Sequence, residues 1–525
     1  MKFFSMSFSQ REYYRFLQVI FITFIILLNL NDFNRSFFFD EIWKIDLVTG
    51  SSFIEQWFSH DTPTTIGFIF LHKALFFLIP NYNFMFRLVG LMWFIVFLWN
   101  IKIMTSKIFN GMDSEKYMPC FLSILLLGIL APFLAISSNF NHYTLEMCYM
   151  SLIVRYYINE PYSNVLLWLL LLSPLFMMSG LFVCPIIFVH LLFQYITGKK
   201  IKKIIEVVFT GIGALVIMGT IYLYFYKPIQ RAGILDFWEK HIIHNDFSNF
   251  IDILNATKDQ IIDSFSKYTF FPPIGEHTVI STCFDLIILF CFVVGLIFTY
   301  QHMRKLCFIF ISSLLFSVLL SWKLSFPFGF IRTNYAYFWV VLYIFFLGAS
   351  YCVLKLSGYL KLNKIAVATA LIILLFPIKL IPDFNDSDAA FAMGIEKDLF
   401  AIADSSHKNN LILSYHFMSK YYTNYYLNNY YPSEGKFYQI VPESHADHNG
   451  RENRKEIYDN VNNLVSKYEN IDAIWCIMPF AMGPKDHARA CKITLPYYKT
   501  FYKKRGKRSV IIGWTNGRKK MSSMR

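Results

Sequence analysis

The chain has 525 residues, of which 55% are hydrophobic and only 16% are charged. Because ordinary soluble domains carry about 25% charged residues, this composition excludes a soluble globular fold for most of the chain and indicates a helical membrane protein. The formal net charge is +14, but the basic residues stand mainly between apolar runs and near the C-terminus. That pattern is typical of membrane orientation, so we predict no nucleic-acid partner.

Eleven apolar runs are predicted to cross the bilayer as helices. They occupy residues 16–31, 84–104, 118–138, 143–158, 163–179, 181–197, 204–226, 279–300, 306–321, 335–354 and 365–382. The first run follows a basic segment and has no small-residue cleavage site, so we expect it to be an uncleaved span rather than a signal peptide.

One further apolar run, 64–79, follows Pro63 and carries His72 and Lys73 at its centre. If it does not cross and the N-terminus is cytoplasmic, the basic connections between spans all fall inside the cell, whereas a crossing would place them all outside. We therefore predict an interfacial helix in the first outer loop of a multi-pass protein of the cell (plasma or inner) membrane, with an extracytoplasmic C-terminal part.

Two domains are predicted, a membrane-embedded domain over 1–382 and a small extracytoplasmic α/β domain over 383–525. In the second, helix-like and strand-like stretches alternate. The predicted helices are 390–403, 418–429, 451–469 and 485–504, and the predicted strands are 411–415, 437–441, 473–478 and 509–514. No dinucleotide, P-loop or metal motif occurs there, which favours recognition or stabilisation. A disulfide between Cys476 and Cys491 is left open.

Asp40 and Glu41 are adjacent and follow the first span directly. Partial burial of such a pair raises its proton affinity, which suits a general base acting on a hydroxyl. An exposed helix N-terminus is the alternative interpretation, and the residues alone leave both open.

Four other charged residues are candidates, three near predicted outer ends of spans and Asp61 at the start of the interfacial helix. Asp61 precedes Pro63 and is also a natural helix cap, whereas Glu146 lies about one turn inside a span, where a carboxylate is costly and usually functional or paired. Arg87 and Arg332 could reach for the interface or bind a lipid phosphate.

The order of these elements resembles the membrane-embedded glycosyltransferases of the C-type fold that use polyprenyl-phosphate sugars, such as protein mannosyltransferases and lipid A aminoarabinose transferases. The resemblance covers most of the chain, including the soluble segment after the last span. It rests on a span followed by Asp40 and Glu41, on Asp61 before a proline-led helix, and on a span bearing Arg87. The short outer motif of that family is similar to His142, Tyr143, Leu145 and Glu146. This chain departs from the family in having one proline after Asp61.

The resemblance implies an inverting transfer of a sugar from a polyprenyl-phosphate donor to a lipid, glycan or protein acceptor at the outer membrane face, among membrane lipids. Asp40 would be the catalytic carboxylate and Glu41 its partner. The implied substrate-binding residues are Asp61, Arg87, His142, Tyr143, Glu146 and Arg332. A divalent cation is possible as cofactor, with Asp40, Asp61 and Glu146 as its ligands.

Two other functions stay open from the sequence. A polar-lipid transporter or flippase would also be polytopic, but it predicts related halves and polar residues near span centres. A lipid-linked glycan polymerase or ligase would place its chemistry in a late outer loop. The loop 227–278, with Arg231, Lys240, His241 and His244, fits that alternative.

Overall fold

The structure is a computed structural model. The described residues are 10–33, 39–49, 57, 64–78, 83–110, 117–128, 133, 136–137, 140–227, 241–244, 246–266, 279–324, 327–328, 334–359, 399, 402, 409–414, 426–427, 436–440, 471–478, 498–505 and 510–516. The chain clusters into two compact units, Met1–Asn34 with Lys44–Pro382, and Arg35–Trp43 with Asp383–Arg525.

Helices make up the first unit. In chain order they are α1 (Gln10–Phe33), α2 (Phe39–Thr49, shared between the units), α3 (Ile66–Leu78), α4 (Asn83–Ile108), α5 (Tyr117–Gly128), α6 (His142–Asn159), α7 (Asn164–Phe176), α8 (Cys184–Thr197), α9 (Ile201–Ile221), α10 (Phe250–Ser266), α11 (Val279–His302), α12 (Arg304–Leu324) and α13 (Tyr335–Tyr359). A 3₁₀ turn, Ser179–Phe182, precedes α8, and a π turn, Tyr222–Tyr226, continues α9.

Four helices in the described part of the chain are long and apolar enough to cross a membrane. They are Phe84–Ile108, Ile201–Phe225, Arg304–Lys323 and Tyr335–Tyr359. A helix of 25 residues is about 38 Å long, more than the roughly 30 Å hydrocarbon layer. The chain is a polytopic helical membrane protein, and the count of eleven spans stays a prediction.

The helix α3 is short. Its 13 residues extend about 20 Å, and its predicted non-crossing position in the first outer loop stays a prediction. It does not lie freely on a surface, since Ile66, Phe68, Ile69 and His72 are buried.

Local signals set the ends of the helices that carry polar residues. The side chain of Asn141 accepts a hydrogen bond from the His142 backbone N–H at 2.7 Å and begins α6, and Ser163 caps α7 in the usual way through the N–H of Val165. Pro174 stands near the end of α7, where the helix is about to stop.

Helices α11 and α13 cross where two glycines face each other. A Cβ atom added to Gly348 would collide with the carbonyl oxygen of Cys291, and one added to Gly295 would collide with the carbonyl oxygen of Ile344. Because these neighbours are backbone atoms, they cannot swing aside. Glycine is the residue that lets two membrane helices approach this closely.

The second unit contains a five-stranded mixed sheet with strand order β2-β1-β3-β5-β4. Its strands are β1 (Asn409–Ser414), β2 (Lys436–Ile440), β3 (Ala473–Met478), β4 (Tyr498–Arg505) and β5 (Val510–Asn516). β1 pairs in parallel with β2 and β3, and β5 runs antiparallel to β3 and β4. The Trp475 indole donates a buried hydrogen bond to Asn410 Oδ1 at 2.9 Å, which ties β3 to β1.

The four predicted strands are confirmed to within two residues at each end, but the predicted helix 485–504 is wrong at its C-terminal end. Residues Tyr498–Arg505 form β4, which pairs with β5 from Tyr498 opposite Asn516 onward. Residue types that favour strands stand at alternate positions here, namely Tyr498, Thr500 and Tyr502. The segment forms a strand because its backbone can pair with that of β5. The other predicted helices of this region lie almost entirely outside the described residues.

Candidate active site

A buried polar cluster lies at the N-terminal end of α6. The Nδ1 atom of His142 is 3.3 Å from the Thr64 hydroxyl, just before α3. Its Nε2 atom is 3.6 Å from Oε1 of Glu146, one helical turn along α6. The same Oε1 accepts a hydrogen bond from the Met178 backbone N–H at 3.3 Å, in the segment before the 3₁₀ turn. Three separate segments therefore converge on one histidine and one carboxylate.

These groups are withdrawn from solvent. The exposed fractions of Thr64, His142 and Glu146 are 0%, 4% and 1%. A buried carboxylate is costly unless it is paired and hydrogen-bonded. Here the His142 imidazole pairs with the carboxylate and the Met178 backbone N–H donates a hydrogen bond to it. An acidic residue kept in such a place inside a membrane protein marks a functional site by default.

An aromatic cluster joins α3, α4 and the start of α6. The ring of Phe140 lies 5.1 Å from Phe68, 5.9 Å from Phe76 and 4.9 Å from Phe86. Because Phe86 precedes Arg87, this contact brings the first turns of α4 beside the segment that leads into α6. The Arg87 side chain is fully buried, and its two predicted behaviours both stay predictions.

His72 packs against the rings of this aromatic cluster. The Trp93 indole can only donate, and it donates to Nε2 of His72 at 3.1 Å. The proton therefore sits on Nδ1, which donates to the Phe68 carbonyl at 2.6 Å. Burial lowers the pKa of His72 to about 4, although the bond to Phe68 acts in the opposite direction. His72 is a neutral, fully bonded packing residue.

Helix α2 carries the predicted catalytic pair. Asp40 is its second residue, and the structure describes the backbone there but not the Asp40 side chain. Glu41 is 1% exposed and, with Asp40, is counted in the second unit. Later in the same helix, burial raises the pKa of Asp46 to about 7. A carboxyl group that titrates near neutral pH is suited to proton transfer.

The structure brings His142 and Glu146 together, and it places Tyr143 next to them with its ring centroid 4.2 Å from that of His142. Asp61 and Arg332 lie outside the described residues, as does Cys491. Among the described residues no group of three or more histidine, cysteine or acidic side chains could hold a metal ion. His142 and Glu146 supply two donors, and divalent cations need more, so the predicted cation site stays a prediction.

Sequence reasoning missed Thr64 and the Met178 backbone as members of the cluster. The Thr64 hydroxyl is 78 positions away from His142 along the chain, and a backbone N–H has no signature in sequence. Asp46 was not singled out from the sequence either, because its burial depends on tertiary packing.

Solved structures of two membrane transferases are similar to this chain. One is the Archaeoglobus fulgidus oligosaccharyltransferase in complex with Zn and sulfate, at 12% identity over 95% of this chain and 73% of that chain, with a TM-score of 0.46. The other is ArnT from Cupriavidus metallidurans, in the apo state and bound to undecaprenyl phosphate, at 11% identity over 94% of this chain and 97% of that chain, with a TM-score of 0.47. No protein-family model and no curated protein sequence matches.

Since both TM-scores are below 0.5, the assignment of the site rests on the residues of this chain.

Proposed function

We propose that this protein transfers a sugar from a polyprenyl-phosphate donor to a lipid, glycan or protein acceptor at the outer face of the membrane, with inversion at the anomeric carbon. The observation that carries the proposal is the buried Glu146 carboxylate, held by His142 and the Met178 N–H inside the helical unit. Such a group is retained where a polar substrate must be bound beside lipid.

In the proposed reaction the acceptor hydroxyl attacks the anomeric carbon of the donor sugar. Asp40 takes the hydroxyl proton as the new glycosidic bond forms, the bond from the anomeric carbon to the phosphate oxygen breaks, and polyprenyl phosphate leaves with the electron pair. Glu41 supports Asp40. The phosphate needs cations in reach, for which Arg87 and Arg332 are proposed.

The remaining residues are proposed to hold the sugar. His142 and Glu146 offer a nitrogen and a carboxylate, Tyr143 offers a ring and a hydroxyl, and Asp61 adds a carboxylate from the first outer loop. A divalent cation, if one is required, would be held by Asp40, Asp61 and Glu146 and would offset the negative charge of the leaving phosphate.

The test is the transfer of radiolabelled sugar from a panel of polyprenyl-phosphate sugars to membrane extracts, with Asp40→Asn compared with wild type at matched expression. We expect the variant to lose at least about hundredfold in rate, since general-base catalysis contributes that much or more. Asp252→Asn, at an exposed acidic residue of α10, is the control and should keep full activity.

Equal activity of wild type and Asp40→Asn would refute the role of Asp40. Absence of transfer with every donor, together with movement of a labelled polar lipid across proteoliposomes, would replace the proposal with the transporter alternative.

A further inference from the structure

Two lysines from distant helices meet beside the C-terminal end of α6. Lys107, in the last turn of α4, donates to the Asn159 carbonyl at 3.3 Å. The Nζ atom of Lys305, the second residue of α12, lies 5.5 Å from the centroid of the Tyr157 ring. Lys107 is close enough for its charge to act on Lys305. This lysine pair is at the face that the charge distribution predicts to be cytoplasmic.

The charge of the lysine pair is not balanced by the protein within the described residues. The ion pairs found there are His142 with Glu146, Lys203 with Glu206 and Lys258 with Asp259, and none involves Lys107 or Lys305. Arg155, one turn before the end of α6, adds a third cation, which donates to the Asn100 side chain at 3.1 Å. Neighbouring cations repel each other, and an anion placed between them is attracted by each of them.

Hydrogen-bonded and packed side chains from three helices surround the Tyr157 ring next to Lys305. The Tyr157 hydroxyl is hydrogen-bonded to Nδ1 of His190 on α8. The side-chain amide nitrogen of Gln194, which can only donate, lies 3.3 Å from Nε2 of the same histidine. The Phe308 ring packs on His190 with centroids 4.8 Å apart. Helices α6, α8 and α12 are thus joined directly beside Lys305, so the position of Lys305 does not depend on a loop.

The surface next to the lysine pair is apolar and exposed. On α12, Phe308 and Ile311 are 40% and 47% exposed, and on α8, Val189 and Phe193 are 66% and 64% exposed. In a membrane protein such side chains face acyl chains. The combination of cations at the helix ends with an adjoining apolar surface matches a lipid that has an anionic headgroup, whereas a free phosphate would make no use of the apolar part.

We propose that Lys107 and Lys305 bind the headgroup phosphate of an anionic phospholipid, whose acyl chains lie along Phe308 and Ile311. Basic pockets between helices at the cytoplasmic side bind such headgroups. The site is independent of the transfer reaction, since it lies at the opposite end of α6 from His142 and Glu146.

The experiment is native mass spectrometry of the full-length protein after delipidation and titration with phosphatidylglycerol, with phosphatidylcholine and inorganic phosphate as parallel ligands. We expect phosphatidylglycerol to be retained preferentially. Lys107→Gln and Lys305→Gln should each weaken its binding about fivefold, which corresponds to about 1 kcal/mol per lysine near an anionic lipid. Lys305→Arg should restore binding, because it keeps the charge.

The matched control is the double variant Lys199→Gln/Lys202→Gln, which removes one exposed basic residue from the connection between α8 and α9 and one from the first turn of α9. This control should bind phosphatidylglycerol like wild type, and thermal unfolding should show that every variant is folded.

Equal weakening by the control would mean a diffuse charge effect and would overturn the proposal. Retention unchanged in both lysine variants would do so too, as expected if Asp113 or Glu115, outside the described residues, already balances the charge. Competition by inorganic phosphate at equal strength would also contradict a lipid site.

Discussion

Two buried contacts of the helical unit use opposite chemistry. At the N-terminal end of α6, Glu146 and His142 bring polar atoms into an apolar environment and need partners from other segments. At the crossing of α11 and α13, Gly348 and Gly295 bring no side chain at all, and backbone meets backbone. The glycine contact supplies proximity alone, whereas the polar contact is costly to maintain. The difference indicates that the glycine contact holds the helices together, and it supports the proposal that the polar contact serves the reaction.

The largest effect is expected at the glycine contact. In Gly348→Ala the new methyl group collides with the Cys291 carbonyl and the backbone of Gly295, and neither can move without displacing a helix. We expect a loss of about 3 kcal/mol or more in the free energy of unfolding, at the upper end of overpacking effects. The measurement is thermal unfolding of the purified protein in detergent.

Gly219→Ala is the matched control, since Gly219 also lies in a helix but has nothing within 4 Å of the added Cβ. There the substitution should stabilise by up to about 1 kcal/mol through helix propensity. If Gly348→Ala unfolds at the same temperature as this control, the two helices do not approach as described.

The next effect concerns activity at the polar contact. Glu146→Gln keeps an oxygen that can accept from the Met178 N–H but removes the negative charge beside His142. Transfer activity should fall about hundredfold, the usual result of removing one preorganised electrostatic contact, with little change in expression or unfolding temperature.

Glu206→Gln is the comparison for that variant, because Glu206 pairs with Lys203 on a more exposed surface of α9 and should leave the rate unchanged. Wild-type activity in Glu146→Gln would show that Glu146 only accepts the Met178 hydrogen bond and would remove it from the site.

The smallest effect is a change in the pH dependence of stability through His72. Its pKa in the folded protein is about 4, below the ordinary value of 6.5, so the unfolded chain binds the proton more readily. Stability from His72 is complete above about pH 6.5 and is lost as the pH falls towards 4, by roughly 2 kcal/mol at pH 5.

The check is unfolding in detergent between pH 4 and 7. His72→Gln should be less stable than wild type at pH 7 but should have a flatter pH profile, whereas His302→Gln, at an exposed histidine, should follow wild type. A His72→Gln profile parallel to that of wild type would contradict the neutral, buried histidine.

Helix positions in the membrane unit were largely predictable. The apolar runs 84–104, 143–158 and 335–354 correspond to α4, α6 and α13, each of which extends past the run into polar residues. The balance of basic connections separates the short α3 from the predicted spans, and its non-crossing position stays a prediction. Strand β3 was predicted at its observed bounds, but β4 was assigned to a helix because its lysines and tyrosines are compatible with either structure until β5 pairs with it.

The candidate site was predictable only in part. Glu146 stood out because a carboxylate inside an apolar run is unusual, and His142 and Tyr143 were included through the family resemblance. All of the predicted site residues stay predictions in their roles, Asp40, Glu41, Asp61 and Arg332 included.

By itself, the sequence determined that this is a polytopic helical membrane protein, where most helices begin and end, and which charged residues stand out in apolar surroundings, since hydropathy and periodicity belong to consecutive residues. Tertiary structure alone decided that Thr64 and Met178 close around His142 and Glu146, that Gly295 meets Gly348, and that Lys107 lies beside Lys305. Contacts between distant segments depend on how whole helices pack, and no local pattern encodes that packing.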